Sequence, residues 1–371
     1  MKALIACGGR GTRLRPITHT QNKHLIPVAN KPIIHYAIET VAEAGIREIA
    51  IVYNGESREV PDFLGDGSRW NVKFSFIPQE KPGGLAQVVE LSEPFVGREP
   101  FLFYLGDNMV VGGVRRFVEA FERGAYNCYL TIARVSDPQR FGVPTIRDGK
   151  IVAVTEKPPA PASPYAVAGI YLYDHSVFDA VRAIRPSRRG ELEISDVHQV
   201  LIERGASIGY SEITGWWKDT GKPSDLLEAN SLVLGQMQSR IEGQLDSAST
   251  VHGAVVIEAG AVVRSSTIHG PVIIGRDCRI ERSSVGPFTA LGDRTTVTGS
   301  TIANSIVLKE CHIVNIRTPI EGSILGNDVE IVEGNSTDAV HRFMIGDQSR
   351  IEVVETSKSQ NPPREEHRHG L

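Results

Sequence analysis

From Glu242 onward, aliphatic residues recur at a period of 17, and few folds have any use for such a rule. One column holds Val251, Ile268, Val285 and Ile302; a second holds Ile257, Ile274, Leu291, Leu308 and Leu325; a third holds Val263, Ile280, Val297, Val314 and Ile331. Only Pro319, the fifth place of the first column, interrupts them. Gly, Ser, Thr and Asp fill the spaces between, and helical spacing is absent. A triangular prism of stacked parallel strands needs three inward aliphatic residues per coil, one for each face, because no coil can bury its apolar side alone. The pattern predicts a left-handed parallel β-helix of about four to five coils over residues 241–356. A β-sandwich gives no reason for a fixed register. The prism end near Val251 is expected to need cover from the rest of the chain or from another subunit.

The preceding residues obey other periods. Up to about Met237, short β-rich runs alternate with helical patterns, as in βαβ units of a mainly parallel sheet. Lys2–Ala6 reads as a strand, Asn30 as a helix N-cap with Pro32 near the first turn, and Ile33, Ile34, Ala37, Ile38 and Val41 as a helix face ended by Gly45. Glu48–Val52 returns as a strand. Further strands are predicted at Val72–Ile77, Phe101–Leu105, Tyr129–Val135, Ile151–Thr155 and Val167–Tyr173, with helices near Val114–Arg123 and Ser195–Arg204. A chain of 371 residues exceeds the usual reach of one core. We therefore expect an α/β domain over 1–240, the β-helix over 241–356, and a polar, proline-containing tail, 357–371, without order.

Charge narrows the function. Lys and Arg number 40 against 44 Asp and Glu, so no global field draws nucleic acid or an anionic membrane. No run approaches the ~18 apolar residues of a membrane span, and no leader-like segment precedes the first strand. Cys7, Cys128, Cys278 and Cys311 lie far apart without CxxC spacing, which argues against a zinc site or a disulfide framework and for a reducing cytoplasm. Anion binding must then be local. Gly8, Gly9, Arg10, Gly11, Thr12 and Arg13 follow the first strand directly; glycines let backbone N–H groups approach an anion, and the arginines add charge. The loop is neither GxGxxG nor a GxxxxGK[ST] P-loop.

The segment GGRGTRLRPIT (Gly8–Thr18), followed by NKHLIPVANKPII (Asn22–Ile34), closely resembles the signature of the sugar-nucleotide pyrophosphorylases. Within that superfamily the pattern is most similar to the glucose-1-phosphate thymidylyltransferases in their longer form, through GGLAQ (Gly83–Gln87), LGDN (Leu105–Asn108), RFGV (Arg140–Val143), EKP (Glu156–Pro158), YAVAGIYLYD (Tyr165–Asp174), GELEISD (Gly190–Asp196) and WWKDTG (Trp216–Gly221). The resemblance covers residues 1–235 in order. It implies a Rossmann-like nucleotidyltransferase domain with a left-handed β-helix behind it. It also implies transfer of a deoxythymidylyl group from dTTP to α-D-glucose 1-phosphate, with release of pyrophosphate, as a supply of activated sugar for deoxysugar or cell-surface polysaccharide synthesis. By the same resemblance Arg13, Lys23 and Lys157 are catalytic, and Gly8, Gly9, Gly11, Thr12, Gln79, Gly84 and Leu85 hold the nucleotide. Gly142, Glu156, Val167 and Tyr171 line the sugar pocket, and Asp107 and Asp219 bind Mg²⁺.

Those residue types suit the reaction. A sugar phosphate is already an oxyanion nucleophile, so the protein must align two polyanions and stabilise a leaving pyrophosphate. Hard carboxylates suit Mg²⁺, a guanidinium fork suits phosphate oxygens, and a glutamine amide suits a pyrimidine edge. Taken singly, Val167 and Tyr171 read more easily as core strand residues. Two departures stand out: Ala6 and Cys7 replace the Leu and Ala common before the glycines, with Cys7 expected to pack as a small apolar group, and Gly83 stands where many thymidylyltransferases carry Asp. Three other readings remain: a uridylyl, guanylyl or adenylyl transferase; a bifunctional enzyme using His252, His269 or His312 for acetyl transfer; and a silent regulatory subunit. Intact Arg13, Lys23, Asp107, Lys157 and Asp219 argue against the last. The partners implied are small molecules, and the oligomeric state stays open.

Overall fold

Seven β-rich runs assemble into one sheet: β1 (Lys2–Cys7), β2 (Glu48–Asn54), β3 (Lys73–Gln79), β4 (Phe101–Leu105), β5 (Cys128–Arg134), β6 (Tyr165–Tyr173) and β7 (Ile208–Glu212). The computed structural model describes residues 1–333 and 348–352, so the 357–371 tail lies outside the described residues. The strand order is β7-β5-β6-β4-β1-β2-β3, parallel throughout except for β6, which runs antiparallel to both neighbours. A strand covered on both faces needs unbroken apolar runs. Leu4 and Ile5 of β1 and Ile49 to Val52 of β2 are accordingly fully enclosed. Helices Ile33–Glu43 and Arg115–Gly124 pack on one face, and Leu85–Leu91 and Ile194–Glu203 on the other.

Asn30 does not cap the first helix. Pro32 occupies that position, while Ala29 (φ 47°) and Asn30 (φ 59°) form the tight turn of a hairpin between Pro27–Val28 and Lys31–Pro32. Positive φ at both central residues matches the twist of a two-residue hairpin. Gly45, at φ 91°, follows the helix end as expected.

The C-terminal strands form three parallel sheets of six, six and five strands, the prism of a left-handed β-helix. Coiling starts at Arg240–Ile241 and Gln244–Leu245, earlier than the first aliphatic column. Serines between the columns hold one corner: the Oγ atoms of Ser249, Ser266, Ser283 and Ser300 each accept from a backbone N–H of the next coil, at 3.0–3.3 Å. All four cysteines are buried and free. Thr295 stands between Cys278 and Cys311 in the stack, which keeps these thiols two coils apart.

In the fourth repeat the period slips. Ala290 pairs with Ile306, one residue short of 17, and Ile306 with Ile324, one residue beyond it. Val307 and Ile313 therefore take the inward places predicted for Leu308 and Val314, and Ile320 takes that of Pro319. A one-residue shift turns a strand's side chain to the opposite face. Leu308 thus leaves the prism and joins Ile306 in a buried cluster with Leu14, Ile26, Ile33, Met109 and Leu226 of the α/β part. The same outer face presents Val256, Ile273 and Ala290 to Ala29 and Leu234. Two polar links fix the dock: Asn30 Nδ2 donates to the Leu291 carbonyl (2.7 Å), and the buried Asn230 accepts from Ala29 N–H (2.9 Å) while donating to the Phe288 carbonyl (3.1 Å).

The α/β part therefore covers a side of the prism, and not its end. Ile241 and Leu245, inward residues of the first coil, remain 50% and 38% exposed. His252 and His269 stack on one outer face while His312 lies on another sheet, so the three histidines suggested as bases share no site. Among the described residues no helix is long and apolar enough to cross a membrane.

The slip can be tested directly. Ile313 is enclosed and Val314 half-buried on the outer side. Ile313→Asn should destabilise the β-helix by roughly 2–5 kcal/mol, from lost packing and a buried amide, whereas Val314→Asn should cost under about 1 kcal/mol. Thermal unfolding of both variants gives the comparison, and the reverse order would restore the unbroken period.

Candidate active site

In an open α/β sheet, the crevice lies where neighbouring strands send their connections in opposite directions, beyond their carboxyl ends. Here that point falls between β1 and β4. The glycine loop leaves β1 and Gly106–Asp107 leaves β4; Gly106 N–H donates to the Ala6 carbonyl at 3.0 Å, so the two exits touch. Gln79 ends β3 on the same rim. Side chains in the loop would displace the residues packed against it. A Cβ at Gly8 would stand 2.3 Å from Gln79 Oε1, and one at Gly9 or Gly11 would stand 2.9 Å from the Lys23 side chain. Gly11, at φ 63°, opens the short turn Thr12–Leu14 that carries Arg13 outward.

Asp107 and Asp219 are placed by one short ladder. The strand Asn108–Val110 pairs antiparallel with Trp217–Asp219, with Asp219 opposite Asn108. The Thr220 N–H and hydroxyl both donate to the Asp107 carbonyl (3.0 and 2.8 Å), and Asn108 Nδ2 donates to Asp107 Oδ1 (3.1 Å). Asn108 Oδ1 in turn accepts from Trp217 Nε1 at 2.7 Å. Lys23 forms an ion pair with Asp107, and a Cβ at Gly221 would lie 3.1 Å from Arg13 Nη2 and 3.3 Å from Asp219 Oδ2, which puts Arg13 beside the second carboxylate.

The charges respond to one another. Burial alone would lower the Lys23 pKa, but the charge and hydrogen bond of Asp107 and the charge of Asp219 outweigh it, so the amine is held above its usual range. Burial works to raise Asp107, yet Lys23 and the Asn108 hydrogen bond bring it well below an ordinary carboxyl. Asp219 goes the other way: burial and the like charge of Asp107 raise it, and Lys23 and Arg13 offset only part. The arrangement concentrates positive charge from Arg13 and Lys23 around two crowded carboxylates. It suits a polyanion together with a divalent cation.

A second group stands at the ends of Gly142–Arg147 and Lys150–Glu156, where Gly142 faces Glu156. Glu156 accepts from Ser195 Oγ (2.7 Å), pairs with Lys157 (2.8 Å) and meets Arg189 Nη2 (3.4 Å). A Cβ at Gly142 would be 2.6 Å from Ser195 Oγ. Arg189 is also held by both Glu193 oxygens at 2.8 Å. Sequence reading passed over Arg189, Ser195, Asn108, Thr220 and Gln87, although each stands within or beside a quoted motif. Val167 and Tyr171 are buried in the core, Tyr171 packed on Phe103 and His198. Gly84 (φ 98°) passes so close to Leu192 that a Cβ would stand 2.4 Å from its carbonyl, and Leu85 starts the following helix. A surface cavity of about 770 Å³ between Glu39, Arg47, Trp70 and Arg115 contains none of these residues. Chemistry, not cavity size, locates the site.

Cys7 is fully enclosed between β1 and Gly106, and burial raises its thiol far above the usual range, so it packs as a small apolar residue. His24 is also buried, with its N–H and ring Nδ1 both on Asn22 Oδ1 at 2.9 Å. Burial, aided by the Lys23 charge and opposed by Asp107, pushes His24 down from 6.5 to about 3. Below pH ~6.5 the unfolded chain takes up a proton that the folded chain refuses, so stability falls as pH drops toward ~3. Replacing His24 with Gln should make the slope of unfolding free energy between pH ~6 and ~4 shallower by up to ~1.4 kcal/mol per pH unit. Chemical denaturation at several pH values reads this, and an unchanged slope would mean that His24 protonates freely in the fold.

Residues 2–236 match the family described as nucleotidyl transferase. The chain is 43% identical over 355 residues to a glucose-1-phosphate thymidylyltransferase of Streptomyces antibioticus, covering 95% of this chain and 99% of that one. It is 44% identical to one of Streptomyces griseus, with the same coverage. A solved Bacillus anthracis structure, assigned as a glucose-1-phosphate thymidylyltransferase and crystallised with sucrose, superimposes with a TM-score of 0.60 at 42% identity, covering 62% of this chain and 94% of its own. By this match over nearly its whole length, the chain belongs to the nucleotidyl transferase family, alongside the glucose-1-phosphate thymidylyltransferases.

Proposed function

We propose that this protein transfers a deoxythymidylyl group from dTTP to α-D-glucose 1-phosphate. The observation that carries the reading is the Arg13–Lys23–Asp107–Asp219 cluster at the switch point, tied to the Glu156–Lys157 pair through Phe141, whose carbonyl accepts from the Lys157 N–H (2.9 Å) and whose ring packs 5.3 Å from Trp217 of the aspartate ladder. A phosphate oxygen of the sugar phosphate attacks the α-phosphorus of the nucleotide; the bond to the β-phosphate oxygen breaks, and pyrophosphate leaves with that electron pair. No proton need move, so the protein's task is alignment and charge stabilisation.

Gly8, Gly9, Gly11 and Thr12 offer backbone N–H groups to the triphosphate, and Arg13 spans the α-phosphate and the departing pyrophosphate with its fork. Lys23, kept charged by the aspartates, moves from Asp107 to the leaving phosphates. Lys157 and Arg189 hold the sugar phosphate, Glu156 accepts from sugar hydroxyls, Gly142 leaves room for the ring, and Val167 and Tyr171 form the packed wall behind. Gln79, with the Gly84 and Leu85 backbone, reads the base.

Asp107 and Asp219 fit Mg²⁺, since two mutually repelling carboxylates beside a polyanion site are what a hard, hydrated cation would satisfy. When bound, the ion would neutralise phosphate charge as pyrophosphate departs. We read 1–240 as the catalytic unit and 241–356 as a β-helix that supports it. The four buried free thiols fit a reducing cytoplasm.

Pyrophosphate release from a panel of five nucleoside triphosphates and several sugar 1-phosphates tests the reading. Mg²⁺-dependent turnover should be strongest with dTTP and glucose 1-phosphate, with UTP partly accepted: it lacks the methyl, a contact worth only about 1–3 kcal/mol, and adds a 2′-hydroxyl. A preference for GTP or ATP would overturn it. Asp219→Asn should lower kcat by roughly 10²-fold or more without unfolding the chain, and Arg13→Lys should also lower it, since lysine lacks the fork. Parental kcat in Asp219→Asn at saturating Mg²⁺ would remove Asp219 from the chemistry.

A further inference from the structure

The Gln79 side-chain amide could face a bound base with its oxygen or its NH₂, and its neighbours choose between them. Gln87, on the helix Leu85–Leu91, accepts at Oε1 from the Gly83 N–H (2.8 Å) and from Gln79 Nε2 (2.7 Å). A backbone N–H only donates, so the Gln87 atom facing Gly83 must be its oxygen. The Gln79 atom facing that oxygen must then be its NH₂, because two oxygens would repel. The Gly84 carbonyl, 3.5 Å from the same Nε2, asks for the same orientation. What is left for a ligand is Gln79 Oε1. It has no protein donor among the described residues, and it lies against the glycine loop, 2.3 Å from where a Cβ of Gly8 would stand.

Residue 83 makes this arrangement possible. A Cβ there would fall 2.6 Å from both Cδ and Oε1 of Gln87, so any side chain would evict the amide from its place. The departure noted in the sequence, glycine where many thymidylyltransferases have Asp, thus acquires a consequence. With no carboxylate at 83, Gln87 itself meets the Gly83 N–H and reaches on to Gln79.

We propose that Gln87 is a positioning residue for base selection: it locks the Gln79 oxygen toward the base, so that the site favours a pyrimidine carrying a ring N–H, as thymine and uracil do, over cytosine, whose corresponding nitrogen offers a lone pair. The inference rests on Gln79 being the base reader in the function proposed above. Thymine and uracil share that N–H, so Gln87 separates both from cytosine and does not separate them from each other.

The test compares kcat/KM for dTTP, dUTP and dCTP, each with glucose 1-phosphate, in the full-length protein and in Gln87→Leu, Gln87→Glu and Gly83→Ala. Gln87→Leu frees the Gln79 amide to turn, and should lower the dTTP:dCTP ratio by about tenfold or more, the scale of one lost polar discrimination, while the dTTP:dUTP ratio stays within about twofold. Gly83→Ala should do the same from the other side of the contact. Gln87→Glu retains an oxygen for both donors and should keep the parental ratio, which a merely structural role would not require. For a variant too slow to assay, calorimetric binding of dTTP against dCTP reads the same ratio. An unchanged dTTP:dCTP ratio in both Gln87→Leu and Gly83→Ala would overturn the inference. A parent protein that does not use dTTP would overturn the function reading itself; one that uses dTTP but ignores Gln87 would overturn this inference alone.

Discussion

Asp107 and Asp219 are two carboxylates of like charge, half-buried at the end of one short ladder, and the surrounding architecture follows from keeping them there. Burial and mutual repulsion both act against the pair, as the raised Asp219 shows. Lys23 and Arg13 supply the opposing charge, while Thr220, Asn108 and Trp217 fix the backbone so that the carboxylates cannot drift apart. The cluster is thus held by opposed charges, with Lys23 and Arg13 set against the mutual repulsion of the two carboxylates.

The β-helix is tied to the floor of this cluster. Leu14 directly follows Arg13, and Met109 follows the Asp107–Asn108 pair; both lie in the buried group that Ile306 and Leu308 complete. The hairpin turn at Ala29–Asn30, a few residues beyond Lys23, is clamped between Asn230 and the Leu291 carbonyl. Backbone in the left-handed region persists at non-glycine residues when its surroundings over-determine it, and here the two parts of the chain do so jointly. Every residue given a chemical role precedes residue 240, yet the scaffold beneath several of them is completed by residues after 288.

Much of this was legible from residue order. The 17-residue columns contain the prism because each coil must repeat the same inward places, and helical and strand periods in the first part reflect burial on one stripe or on both faces. The motif set brought Lys23, Asp107, Asp219, Glu156 and Lys157 forward before any geometry. Cys7 as a small packed residue and Cys278 and Cys311 as free thiols also followed from spacing and turn chemistry. Leu308 and Val314 were misplaced because a one-residue deletion followed by an insertion preserves the count over two coils while inverting the faces between them. Asn30 resembled an N-cap because asparagine favours both caps and left-handed turns, and local sequence does not separate the two.

Local and periodic terms thus determined the elements, the two kinds of architecture and the residues fit for phosphate chemistry, since these depend on neighbours along the chain. Only the tertiary structure decided which side of the prism meets the α/β part, that Leu308 serves the dock, that Arg189 stands beside Glu156, and that Gln87 orients Gln79. Those outcomes rest on pairs distant in sequence, whose distances and donor–acceptor choices exist only once the sheet order and coil register are fixed.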